Sequence, residues 1–105
     1  MPGMNSLPEI AEARARDVRV VDDRLMVELT DGRTIIVPVG WYPRLLHASA
    51  EQRARWELIG TGTGIHWPDV DENLSVEGLL LGLPAPKSEF RRFGMEPPDL
   101  SRKSA

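Results

Sequence analysis

The chain has 105 residues, a formal net charge of −3 and no cysteine. That length fits one domain with tails, and such a domain buries only about 60–65% of the surface its unfolded chain exposes, so the core is thin and a homodimer would enlarge it. The missing cysteine excludes disulfides, thiol catalysis, iron–sulfur clusters and cysteine-type zinc sites, and it suits a reducing cytoplasm; no apolar run approaches the ~18–20 residues of a membrane helix.

Residues 1–16 form an N-terminal lead-in. Pro2, Gly3 and Pro8 precede a short helix-favouring run from Glu9 to Arg16, and no apolar stretch marks a secretory signal. A single compact domain is expected over residues 17–86. It starts with a three-stranded antiparallel meander: Val18 to Val21, Leu25 to Thr30, and Arg33 to Pro38. Asp22-Asp23 turns the first hairpin and pairs Val20 with Leu25 and Val18 with Val27. Asp31-Gly32 reads as a two-residue type I′ turn, which needs positive φ at both central residues. That turn pairs Leu29 with Thr34 and Val27 with Ile36. Val18, Val20, Leu25, Val27, Leu29 and Ile36 then share one face.

Pro38 closes the third strand, because it cannot donate to a ladder. Pro43 suits the first position of a short helix. Ser49-Ala50-Glu51-Gln52 is a capping box that opens a second helix to about Glu57. Gly60-Thr61-Gly62-Thr63-Gly64 breaks it. The same stretch lacks the Gly-Lys-Ser/Thr ending and the following helix of a phosphate loop. Ile65-His66-Trp67 is a further short strand ended by Pro68. Ser75 N-caps a C-terminal short helix from Val76 to Leu81, with Gly82 just past its end. The fold class is therefore α+β.

Residues 87–105 are rich in Pro, Ser and charge and read as a disordered basic tail. They carry 5 basic and 3 acidic residues, whereas residues 1–86 carry 8 Arg, no Lys and 13 acids. An acidic body is a poor surface for DNA or RNA on its own, since phosphate contacts supply most non-specific affinity.

Several of these pieces occur together in a known family. Leu25-Met26-Val27-Glu28-Leu29-Thr30-Asp31-Gly32, Pro43-Arg44-Leu45, Ala48-Ser49 with Gln52-Arg53, Gly64-Ile65-His66-Trp67-Pro68 with Asp71-Glu72, and Ser75-Val76-Glu77-Gly78-Leu79-Leu80 carry the likeness. From about Asp17 to Gly82 the chain resembles the domain of unknown function 2442 family of small bacterial proteins. The resemblance implies a compact α+β fold and no agreed activity. Some members look like half of a two-gene toxin–antitoxin pair beside another small protein. Others carry a helix-turn-helix domain after this one, for which the residues after Gly82 are too few.

His66, Asp69, Asp71 and Glu72 are the residues with the most chemistry. A His and three carboxylates could bind a divalent metal, but such sites gather at least three ligands in defined geometry. Here the acids follow a proline on a turn just before a helix, where the dipole favours negative charge, and His66 lies on a strand. The structural reading is preferred, so no metal, cofactor or catalytic residue is assigned. Ser49 and Ser75 are caps, and no nucleophile motif is present. Trp41, Tyr42, Trp56 and Trp67 read as core anchors, each able to bury ~150–250 Å², and Trp41 or Tyr42, if exposed, would be a natural hot spot for a partner.

The leading expectation is a cytoplasmic protein-binding module, the antitoxin-like or accessory partner of a second small protein. Its expected contact residues are Trp41, Tyr42, Arg44, Arg53, Arg55, Phe90 and Phe93. Two alternatives remain. One is a dimeric nucleic-acid-associated transcriptional regulator using the basic tail and the Arg-bearing helices. The other is a small enzyme or metal-binding protein using His66.

Overall fold

The computed structural model of the chain describes residues 13–100. Most of the N-terminal lead-in lies outside that range; its last two residues, Ala15 and Arg16, already belong to the first strand. Two three-stranded antiparallel sheets share one core. The first holds β1 (Ala15–Val21), β2 (Arg24–Leu29) and β3 (Thr34–Pro38) in sequence order.

In the β1–β2 hairpin Val18 faces Val27 and Val20 faces Leu25, the expected register. Asp22 and Asp23 turn it with φ of 50° and 65°, the positive pair that a type I′ turn demands. A bulge between Ala15 and Asp17 lets Ala15 and Val18 both point inward, a spacing that an unbroken strand forbids. Both side chains are buried.

The β2–β3 hairpin corrects the expected register by one residue. Leu29 N–H donates to the Arg33 carbonyl at 2.8 Å and Gly32 N–H to the Leu29 carbonyl at 3.0 Å. The loop therefore holds Thr30, Asp31 and Gly32, with only the glycine at positive φ (99°). This is a three-residue turn with a glycine bulge. The Asp31 carboxylate fixes it by accepting from the Arg33 backbone N–H and Nε at 3.0 and 2.9 Å. Val27 consequently faces Ile35 and Leu25 faces Val37. A one-residue slip flips every side chain: Val37 is buried, and Ile36 is 50% exposed.

Two helices link the sheets. Pro43 stands at the first position of α1 (Pro43–Leu46). In α2 (Ala50–Ala54) both capping-box bonds form, Gln52 N–H to Ser49 Oγ at 3.1 Å and Ser49 N–H to Gln52 Oε1 at 2.9 Å. This helix stops before the expected Glu57, which opens β4 (Glu57–Ile59). With β5 (Gly64–Trp67) and β6 (Glu72–Ser75) it makes the second sheet, in the order β4-β5-β6. The one further strand expected from the sequence is thus the middle of three. Trp67 is fully buried, and its indole N–H donates to the Arg53 carbonyl at 3.1 Å. The core joins Leu25, Val27 and Leu29 of the first sheet to Ile65 and Trp67 of the second, with Leu45 and Leu79 from the helices.

Ser75 caps α3 (Val76–Leu80) by accepting from Gly78 N–H at 2.8 Å. Gly82 N–H to Leu79 and Leu83 N–H to Gly78 then close its C-terminus, with Gly82 at φ 74°, the Schellman pattern. Beyond the proline pair Pro84 and Pro86, residues expected to be disordered form α4 (Lys87–Arg92). Phe90 explains the difference. It is 1% exposed, and one aromatic anchor of this size offsets much of the cost of ordering a short helix.

Candidate functional site

Arg44 brings three distant segments together. It projects from α1, and its side chain is 21% exposed. Its Nε and Nη2 donate to the two carboxylate oxygens of Glu89 on α4, at 2.8 and 2.9 Å. Its Nη1 donates to the backbone carbonyl of Asp71 on the β5–β6 loop at 2.6 Å and lies 3.6 Å from the Asp71 carboxylate. The Glu89 pair is bidentate and mostly shielded, the arrangement in which a guanidinium–carboxylate pair is strongest. The Arg44 hydrogen bonds hold the Glu89 carboxyl below the usual carboxylate range.

Beside this clasp opens a cleft of about 420 Å³. Tyr42, Glu72 and Leu79 are in its walls, and residues 83–86, the tether to α4, form one side. Tyr42 O–H donates to the Leu83 carbonyl at 2.9 Å. Burial, with the neighbouring Glu72 charge second, pushes the phenol up to about 12. Glu72 is half-buried. Its pKa is raised chiefly by burial and then by the Glu89 and Asp71 charges, against the lowering effects of the Asn73 N–H and Arg44. The cleft therefore combines an apolar wall with a carboxylate, Glu72, that forms no direct ion pair among the described residues. Leu83 on its edge is 55% exposed, and Leu81 nearby in sequence 54%.

The expected contact residues fall in several places. Tyr42 and Phe90 are buried in their own chain, so neither is a surface contact in this conformation. Trp41 is partly buried against the core. Phe93 stacks on His47 with ring centroids 4.9 Å apart and 8° between planes. The arginines do not form one open positive face. Arg44 holds Glu89; Arg53 donates to the Leu45 and Leu46 carbonyls at 2.9 and 2.8 Å, closing the end of α1; Arg55 pairs with Asp69 at 2.8 Å.

His66 and the acids are likewise dispersed. The His66 ring meets Asn73 Oδ1 on the second sheet, while Asp69, Asp71 and Glu72 turn to Arg55, Arg44 and the cleft. Asp69 and Asp71 stand on a turn after Pro68, as expected, but Glu72 opens β6, which separates the acids from the α3 N-terminus they were expected to precede directly. No group of three or more His, Asp or Glu among the described residues could hold a metal ion, and no helix there is long and apolar enough to cross a membrane. Glu89 and Leu83 were not singled out from the sequence. The spacing of Phe90 and Phe93 behind Pro86, one short helical face in a stretch otherwise rich in turn formers, is the signal that places Glu89 on α4, and no comparable pattern marks Leu83.

The family model described as "Protein of unknown function (DUF2442)" matches residues 15–85. The chain belongs to this family. A crystal structure of a protein of unknown function from Rhodospirillum rubrum is 34% identical, with a TM-score of 0.64, and the match covers 73% of this chain and 95% of that one. A solution structure of an uncharacterised protein from Chromobacterium violaceum shares the fold at 19% identity and the same TM-score, over 78% of this chain and 77% of that one. No curated protein matches the chain. Arg44, His47, Tyr42 and Glu72 lie within the family segment, and α4 lies beyond it.

Proposed function

We propose that this protein is a protein-binding module, the accessory partner of a second small protein, and that the partner docks at the Arg44 cleft. The observation that carries this reading is the cleft itself: about 420 Å³, with an apolar wall that includes Leu74 and Leu79, the charged groups Arg44, Asp71, Glu72 and Glu89, and the exposed Leu83 on its edge. Concave sites with an apolar wall and a few convergent polar groups are where binding is expected, and exposed leucines beside one supply the area that excludes water in an interface. A partner segment suited to it presents apolar side chains to Leu83 and a basic group toward Glu72. The acidic body agrees with a basic partner surface.

Co-expression with the product of the neighbouring gene tests the proposal. A stable complex is expected by size-exclusion chromatography at micromolar concentration, and Leu83→Asp should dissociate it while leaving the fold intact. Separate elution of the two wild-type proteins, or a complex indifferent to Leu83→Asp, would reject it.

A further inference from the structure

The contact between α4 and the rest of the chain has the anatomy of a bound peptide. Phe90 is 1% exposed, yet it stands apart from the contiguous core cluster. Its helix is six residues long and joins the body through a tether containing Pro84 and Pro86. Among the described residues it is held by the buried Phe90, the bidentate Glu89–Arg44 pair and the stack of Phe93 on His47, while Ala85 N–H to the Trp41 carbonyl at 3.0 Å and Tyr42 O–H to the Leu83 carbonyl at 2.9 Å pin its tether. One aromatic anchor with a shielded charge pair beside it is the usual composition of a binding hot spot, and a short helix read through an i, i+3 pair is a recurrent mode of groove recognition. The seat residues Arg44 and His47 belong to the family segment, whereas α4 lies outside it.

We infer that the seat of α4 is a peptide-binding groove, and that α4 is its built-in, displaceable occupant. The trans ligand that fits is a partner helix with an acidic residue followed by aromatic, two variable positions and a second aromatic, as in Glu89-Phe90-Arg91-Arg92-Phe93. The acid takes Arg44, the first aromatic fills the Phe90 site and the second stacks on His47. Because Glu89 and the tether also line the cleft, displacing α4 reshapes the surface proposed above for docking. In that respect the inference rests on the protein-binding reading and adds its regulation.

A strap on a short tether acts at an effective concentration of order 1 mM. For a single-anchor helix with an intrinsic Kd of roughly 0.1 mM, occlusion in cis weakens binding in trans about tenfold. The test uses the full chain and a fluorescently labelled peptide of residues 86–96, followed by anisotropy. Phe90→Ala, which unseats α4, should bind the peptide about tenfold more tightly than wild type. Glu89→Ala removes no apolar side chain and should act in the same direction by a smaller factor. Adding Arg44→Ala to the opened chain, or replacing the peptide's residue 90 by alanine, should remove binding. Folding is checked by amide NMR dispersion. Equal peptide affinity for wild type and a folded opened variant would overturn the inference. So would loss of dispersion in Phe90→Ala together with no gain in Glu89→Ala, since α4 would then be a core element. The peptide assay does not involve the neighbouring gene's product, so failure of the docking proposal and failure of the strap are read separately.

Discussion

The first sheet and the α4 strap are built on opposite principles. The sheet has two long ladders, broken by the bulge between Ala15 and Asp17, and an inner face on which Val18, Leu25, Val27, Leu29 and Val37 are each less than a tenth exposed. The strap has one deeply buried aromatic, one bidentate ion pair and one ring stack. Distributed apolar contact makes a region cooperative, because removing any piece is felt by all its neighbours. A few discrete contacts make a region that can open alone, drawn from the low end of local stability. The teaching is that equal burial of single side chains, Leu25 and Phe90, does not mean equal coupling to the fold.

Leu25→Ala is the largest expected break. It should cost about 2–5 kcal/mol of global stability in urea unfolding. Phe90→Ala should instead leave the main urea transition cooperative while the α4 amides lose their protection from hydrogen exchange. If both variants shift the main transition equally, the contrast between the two regions fails.

Glu89→Gln probes the clasp at smaller scale, with an expected loss of about 1 kcal/mol at neutral pH. The direction of the pH dependence follows from the shift. The folded-state pKa of Glu89 lies below its ordinary 4.5, so its stabilisation is complete above that value and disappears as pH falls through the folded pKa. Wild type and Glu89→Gln should therefore differ in Tm at pH 7 and converge in acid.

Glu72 has the reverse sign. Burial raises its folded pKa above 4.5, so stability is lost as pH rises from the ordinary value through the folded one. Glu72→Gln should raise stability by a few tenths to about 1 kcal/mol at pH 7, with no gain at pH 4. A destabilised variant at pH 7 would mean that the carboxylate is compensated in the cleft.

Ile36→Lys is the smallest change and sharpens the register of β3. With the side chain half exposed, the cost should stay within about 0.5 kcal/mol. Ile35→Lys, on the inner face opposite Val27, should be clearly worse. Equal costs would restore the two-residue turn.

Much of this fold was legible in local chemistry. The Asp22-Asp23 turn, Pro43 at the head of α1, the Ser49 capping box and the Ser75 cap each depend on a few adjacent residues, and each formed where the residue types demanded. The second hairpin did not, because Asp-Gly fits both a two-residue turn and the end of a three-residue one. Only the packing of Val37 and the Asp31–Arg33 bonds selected the longer loop. Strands β4 and β6 carried no strong alternation to read, since β4 is exposed throughout and β6 half so. Their partner β5 defines them.

By itself, then, the sequence determined the α+β class, the family, the first hairpin and the caps, because those rest on alternation, turn chemistry and short-range hydrogen bonds. Only the tertiary structure decided that Arg44 would hold a glutamate 45 positions away and that Phe90 would be buried rather than free. It also dispersed His66 and its neighbouring acids to separate partners. Those outcomes depend on which surfaces meet across long stretches of chain, and neither spacing nor composition encodes a long-range contact.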